Sequence, residues 1–210
     1  MERGELQAER PGAPRSGSSE ISTDTMNANR PPALPSAIDK LNSWQRYRLA
    51  LLVAPSGTGK TALLRNWARR LKNSGMADPQ EVESPPQVAW FDLGPEDDDP
   101  GKFLAGLVSA LRAAGLQAAI PLSPFSTPVE SVLGIEIGLV ELANALARSP
   151  GELILVLDHY DQVHTPEIHA AISLLLDYLP PQAHLVIACR EEPPLPLPRL
   201  RARRQLIDIL

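Results

Sequence analysis

The chain has 210 residues, enough for one well-buried domain and too few for two of ordinary size once a tail is subtracted. Its net charge of −5 and pI near 5.4 provide no overall positive field to hold a polyanion, so direct nucleic-acid binding is not expected. One cysteine, Cys189, excludes an intrachain disulfide framework and a multi-cysteine metal site; with no signal-like segment and no run of 18 apolar residues, the expectation is a cytoplasmic chain that touches no membrane.

Residues 1–35 are rich in Pro, Gly, Ser, Arg and Glu without apolar periodicity, so a disordered tail is predicted there, with a domain over 36–210. Met26 lies inside that tail as an alternative start that would cost the core nothing. Leu49–Val53 is a continuous apolar run, the mark of a strand buried on both faces, and it leads through a glycine-rich loop into a helix over about Lys60 to Lys72. A polar, proline-bearing stretch from Asn73 to Gln87 precedes a second strand at Val88–Leu93. Pro100 sits where a first helical turn tolerates proline, and Phe103, Leu104, Leu107, Val108 and Leu111 recur at helical spacing up to about Ala114.

The Pro/Ser/Thr cluster over Pro121 to Pro128 reads as a loop, and a helix follows over about Val129 to Arg148. Leu153–Leu157 is another fully apolar strand, Pro166–Leu179 a helix, His184–Cys189 a further strand, and Leu206–Leu210 a last one. Strands alternating with helices imply right-handed crossovers and an α/β architecture with a mainly parallel sheet of about five strands, covered on both faces. Ligands bind such sheets at the carboxyl ends of the strands.

The loop itself is Ala54, Pro55, Ser56, Gly57, Thr58, Gly59, Lys60 and Thr61. The phosphate-loop pattern needs small residues so that successive backbone N–H groups point at phosphate oxygens, with a helix N-terminus behind them. Ala54 stands in the place of the usual first glycine, while Gly57 and Gly59 keep the permissive backbone positions. Lys60 would reach the β- and γ-phosphates and the Thr61 hydroxyl would ligate Mg²⁺, which makes ATP with Mg²⁺ the expected ligand pair.

Such a loop needs a carboxylate on a neighbouring strand, and Asp158, ending the run Leu153–Leu157, occupies that place as a second Mg²⁺ ligand. Hydrolysis also needs a group that orients water; His159 follows Asp158 directly and Asp161 comes two residues later, and either is a candidate base. Arg190, at the tip of His184–Cys189, is a candidate contact to the γ-phosphate that would tell ATP from ADP; the plainer reading is a surface arginine paired with Glu191 or Glu192.

These residues, with Leu63-Leu64 and Trp67, Val88-Ala89-Trp90, Asp97 through Pro100, Leu155 through Tyr160, Pro166 through His169, Leu179-Pro180, and Arg190 through Arg203, give the chain its likeness. Over most of Leu49 to Leu210 it resembles the nucleotide-binding domain of the MalT-like large LuxR-family transcriptional regulators, of the STAND branch of P-loop ATPases. The resemblance implies a P-loop NTPase three-layer sandwich of the additional-strand (ASCE/STAND) type. It also implies that a winged-helix region, a helical-repeat sensor and a helix-turn-helix, which follow this module in the family, are absent from these 210 residues. Family members usually carry Asp-Asp-Tyr-His where this chain has Asp158-His159-Tyr160-Asp161, a departure that points to binding with slow or absent hydrolysis.

Three functional readings follow: an ATP-binding regulatory switch whose partners are ATP or ADP and other domains or copies of a regulator; a free-standing ATPase or phosphotransferase; and a truncated remnant that only binds nucleotide. Glu96 through Asp99 reads as a solvated acidic loop ahead of a helix, not a cation site. Arg199, Arg201, Arg203 and Arg204 read as a solvated basic face, and His159, His164 and His169, five apart, do not share a helical face as zinc ligands would. Trp90 and Cys189, on apolar strands, are expected in the core.

Overall fold

Five apolar runs become five strands in the computed structural model, which describes Met1 and residues 34–74, 85–116 and 132–210. The strands are β1 (Leu49–Val53), β2 (Gln87–Asp92), β3 (Leu153–Asp158), β4 (Ala183–Cys189) and β5 (Leu206–Asp208). The helices are α1 (Leu34–Leu41), α2 (Lys60–Ser74), α3 (Pro100–Ala113), α4 (Val132–Ala147), α5 (Pro166–Tyr178) and α6 (Leu197–Ala202). All lie within one compact unit, Pro31–Leu210.

The sheet order is β2-β3-β4-β1-β5 and every pairing is parallel. β4 is thus inserted between the strand that feeds the phosphate loop and the strand that ends in Asp158, which is the additional-strand arrangement.

Alternation along the buried strands sends side chains into two separate apolar layers. Leu49 and Leu51 of β1, Leu153, Leu155 and Leu157 of β3, and Leu185 and Ile187 of β4 join a large cluster with α3, α4 and α5. Ala50 and Leu52, Ile154 and Val156, and Val186 and Ala188 face the other way, onto Leu63, Leu64 and Trp67 of α2 and Ala37 and Leu41 of α1. The result is three layers, helices on each side of the sheet. Among the described residues no helix is long and apolar enough to cross a membrane.

Two elements differ from the sequence reading. α1 begins at Leu34, inside the stretch assigned to the tail, because Ala37 and Leu41 are wholly buried against α2 and the sheet. α6, with Pro196 before it and Pro198 in its first turn, was not anticipated; Leu197 and Leu200 anchor it in the larger cluster. The rest of the predicted tail apart from Met1, the loop over 121–128 and residues 75–84 of the polar stretch lie outside the described residues.

The acidic loop is built from backbone caps. Asp97 accepts the Gly94 N–H at 2.8 Å, and Asp99 accepts the Lys102 N–H at 2.9 Å to cap α3. Asp98 accepts the N–H groups of His164 and Thr165, both at 2.8 Å, tying this loop to the start of α5. Burial opposes ionisation of Asp98, but those donors outweigh it and hold its carboxyl below the usual value. The basic cluster is likewise partly consumed: Arg199 pairs with Asp177 at 2.7 Å, and Arg201 with Glu192 and Asp208.

Two stability measurements follow. A methyl added at Gly106 of α3 would stand 2.3 Å from Cζ of Phe91, whose ring already packs on Phe103 with centroids 5.6 Å apart. Gly106→Ala is therefore expected to destabilise the fold by about 1–3 kcal/mol in urea unfolding despite its better helix propensity, and adding Phe91→Leu should recover part of that loss. His169 is buried and hydrogen-bonded to the Tyr160 hydroxyl at 3.0 Å. Burial presses its pKa below the ordinary 6.5, with the charge of Asp98 opposing. A depressed imidazole pKa means the unfolded chain takes up the proton first, so stability holds above about pH 6.5 and falls as pH drops from there, at up to about 1.4 kcal/mol per pH unit. His169→Gln should show a shallower loss between pH 7 and 5.5.

Candidate functional site

At the carboxyl edge of the sheet, β1 gives way to the loop Ala54–Gly59. The Ala54 N–H bonds the Cys189 carbonyl at 3.2 Å, so the loop starts from the tip of β4. Gly57 and Gly59 have φ of +79° and +85°, the left-handed region that a side chain resists, while no atom lies within 4 Å of where a Cβ would stand. It is the backbone turn, and not crowding, that calls for glycine. The Thr58 hydroxyl donates to the Pro55 carbonyl at 2.9 Å and the Leu63 N–H closes on Gly59 at 2.8 Å, beginning α2. The Lys60 ammonium reaches back to the carbonyls of Ala54 and Pro55, which places its charge over the loop.

A cleft of about 610 Å³ opens over this loop. Gly57, Gly59, Lys60 and Thr61 line it from one side; His159, Asp161 and Arg190 line it from the ends of β3 and β4. Residues 98 to 133 positions apart in the chain are thus gathered by strand order alone. Asp158 lies at the foot of the same edge, only 1% exposed. One of its oxygens accepts the His159 N–H at 3.0 Å, while Oδ2 is buried without a hydrogen-bond partner. A buried carboxylate oxygen in that condition is costly unless a cation or water satisfies it.

His159 is held at φ 56° and ψ 38°, a left-handed backbone that costs a non-glycine residue about 1–2 kcal/mol. Its ring is tethered too: Nδ1 meets Asp92 Oδ1 at 2.7 Å. Asp92 ends β2 and is in register with Asp158 on β3. Asp92, Asp158 and His159 each offer a donor atom within 4.8 Å of the others, a spacing one divalent ion can span. The Asp92 carboxylate also faces Arg65 of α2 at 3.7 Å. Asp92 is the site residue missed by sequence reading; its only signal was its place at the end of an apolar strand.

Asp161 and Arg190 are joined directly. Asp161 Oδ1 accepts the Arg190 N–H at 3.1 Å, and Oδ2 pairs with Arg190 Nε at 3.0 Å. The arginine's partner is therefore neither Glu191 nor Glu192. Trp90 is only partly buried, with the Arg65 guanidinium 5.6 Å above its ring, whereas Cys189 is fully in the core. Burial first, and then the nearby Asp161, push the Cys189 thiol up to about 12, so it is inert as a nucleophile.

No protein-family model matches the chain. It is 31% identical over 172 residues to the HTH-type transcriptional regulator MalT of Cronobacter sakazakii, covering 81% of this chain and 17% of that protein. Against the MalT of Vibrio cholerae the identity is 29% over 175 residues, covering 83% and 18%. The chain therefore spans under a fifth of the length of these regulators. Among solved structures, the Cdc6p of Pyrobaculum aerophilum superposes with a TM-score of 0.56 at 18% identity, over 89% of this chain and 48% of that one, a likeness of fold alone. The chain is a P-loop ATPase-fold domain homologous to a segment of the MalT-type transcriptional regulators.

Proposed function

We propose that this domain is the ATP-binding regulatory switch of a MalT/LuxR-like transcriptional regulator, with slow or absent hydrolysis. The observation that carries the reading is the cleft in which a glycine loop at a helix N-terminus, Lys60 and Arg190 face one another across the sheet edge. In this reading the backbone N–H groups of Ser56 through Lys60 hold the phosphates, Lys60 turns from the loop carbonyls to the β- and γ-phosphates, and Arg190 meets the γ-phosphate. Thr61 and Asp158 suit Mg²⁺, the orphaned Asp158 Oδ2 being the oxygen such an ion would satisfy. Bound there, Mg²⁺ would neutralise phosphate charge. ATP and ADP then differ by the γ-phosphate contacts of Lys60 and Arg190, of which Arg190 is the one joined to a neighbouring strand, and other domains or copies of a regulator in the cytoplasm are the expected recipients of that difference.

Hydrolysis is limited by the supply of a free base. Both Asp161 oxygens are engaged by Arg190, which leaves His159. The second reading, a free-standing ATPase, draws on one observation: Asp92 accepting from Nδ1 of His159 would leave Nε2 as the basic nitrogen, the orientation a general base needs.

Nucleotide binding and turnover of the purified chain separate the two. The switch reading expects Mg²⁺-dependent ATP binding, turnover well below about 1 s⁻¹, and at least a tenfold loss of ATP affinity in Lys60→Ala; turnover of about 1–100 s⁻¹ supports the enzyme instead. A Lys60→Ala protein that binds ATP as tightly as the parent overturns both. Unchanged single-turnover rates in His159→Ala and Asp161→Ala remove those residues from any chemistry.

A further inference from the structure

We infer that Asp161 is the positioning residue that presents Arg190 to the γ-phosphate, an inference that rests on the sensor role proposed above for Arg190. Asp161 sits in the single 3-10 turn, Tyr160–Gln162, that follows β3, and Arg190 is the first residue beyond β4. The two strands are neighbours in the sheet, so one carboxylate spans the tips of adjacent strands. It does so with both oxygens on the same residue: Oδ1 on the Arg190 backbone N–H and Oδ2 on Nε of its side chain. The Gln162 side chain adds a weak donor to Oδ2 at 3.4 Å.

A guanidinium is a rigid planar fork, so an ion pair that keeps Nε 3.0 Å from a carboxylate oxygen limits where the two terminal nitrogens can lie. Asp161 holds the inner edge. The side chain of Asp161 is 15% exposed and that of Arg190 51%, so the anchored edge is the sheltered one and the rest of the arginine stands in the cleft over the phosphate loop. A free arginine loses its rotamer freedom on meeting a phosphate; an arginine already clamped loses less, and the gain falls on the ligand that carries the γ-phosphate.

Asp161 also stands between two clefts. A second cleft of about 600 Å³ lies between α5 and the segment after β4, and Asp161 is the one described residue that lines both clefts. Cys189, Glu191 and Glu192 line the second cleft while Arg190 lines the first. Consecutive residues thus face opposite sides of a wall that the Asp161–Arg190 pair braces.

Equilibrium affinities for ATP and ADP test this in the full chain with Mg²⁺, using Asp161→Asn, Arg190→Lys, Arg190→Ala and the Asp161→Asn/Arg190→Ala double variant. Asp161→Asn keeps an oxygen for the backbone N–H and drops the charge facing Nε; Arg190→Lys keeps the positive charge and lacks Nε. Both are expected to lower the ATP-over-ADP preference by about three- to tenfold, with the loss falling on ATP, and the double variant should be no worse than Arg190→Ala alone, the non-additivity of two residues acting through one contact. If Arg190→Ala abolishes the preference while Asp161→Asn preserves it, the positioning role is overturned and the sensor stands. If Arg190→Ala leaves the preference intact, the sensor fails and this inference with it. A merely structural staple would lower thermal stability and weaken ATP and ADP alike, which also overturns the inference.

Discussion

The parallel register of β1, β4 and β3 is the constraint on which the site depends. Val53 pairs with Cys189, and Leu157 with Ile187, so the three strands finish within a residue or two of one another. The residue after each strand must then emerge on the same edge. Ala54 opens the phosphate loop, Arg190 follows β4, and Asp158 with His159 ends β3. Those segments are far apart in the sequence; strand pairing and the interdigitation of apolar side chains on both faces of the sheet set their distances. Slipping one strand by a single residue would exchange its two apolar layers, which is why the register is firmly specified.

That edge is also where the polar groups are least comfortable. A fully buried carboxylate with one oxygen unpartnered and a histidine in the left-handed backbone region are each unfavourable alone. They persist because the rest of the sheet over-determines them: Asp158 continues a strand whose every residue is buried, and His159 is held at its backbone by Asp158 and at its ring by Asp92. Concentrated local cost against a well-packed support is the usual signature of a binding site, and it coincides here with the phosphate loop.

The fold was legible because its strongest signals are local. Leu49–Val53 and Leu153–Leu157 are apolar on both faces, the phosphate loop declares itself by residue type, and Pro100 and Pro166 mark helix starts, so the elements fall within a few residues of their predicted bounds. Candidate site residues were legible in the glycine loop and at or just beyond the ends of apolar strands, as Asp158, His159, Asp161 and Arg190 are. Asp92 escaped notice because its importance comes from β2 lying beside β3, and strand order is not written in local composition. The bond between Asp161 and Arg190, 29 residues apart, needs the same knowledge. α1 was hidden for the opposite reason: the proline-rich composition around it outweighed two apolar residues that only tertiary packing makes decisive.

A nucleotide shifts a conformational equilibrium only by the difference in its free energy of binding to the two states. In the proposed switch, ATP and ADP would share the contacts that the loop backbone makes to the first two phosphates, so tight binding by those groups alone would switch nothing. For such a switch, the differential contact would come from a residue that reaches the third phosphate and is mechanically joined to something beyond the cleft. Arg190 meets the second condition through its backbone and side chain together, since the carboxylate that grips both belongs to the turn after β3 and borders the neighbouring cleft as well. Of the residues that could turn this edge toward hydrolysis, by contrast, Asp161 is occupied by Arg190, which leaves His159 alone. On the proposed reading, the same ion pair that occupies Asp161 would also carry a phosphate contact of Arg190 to the turn after β3.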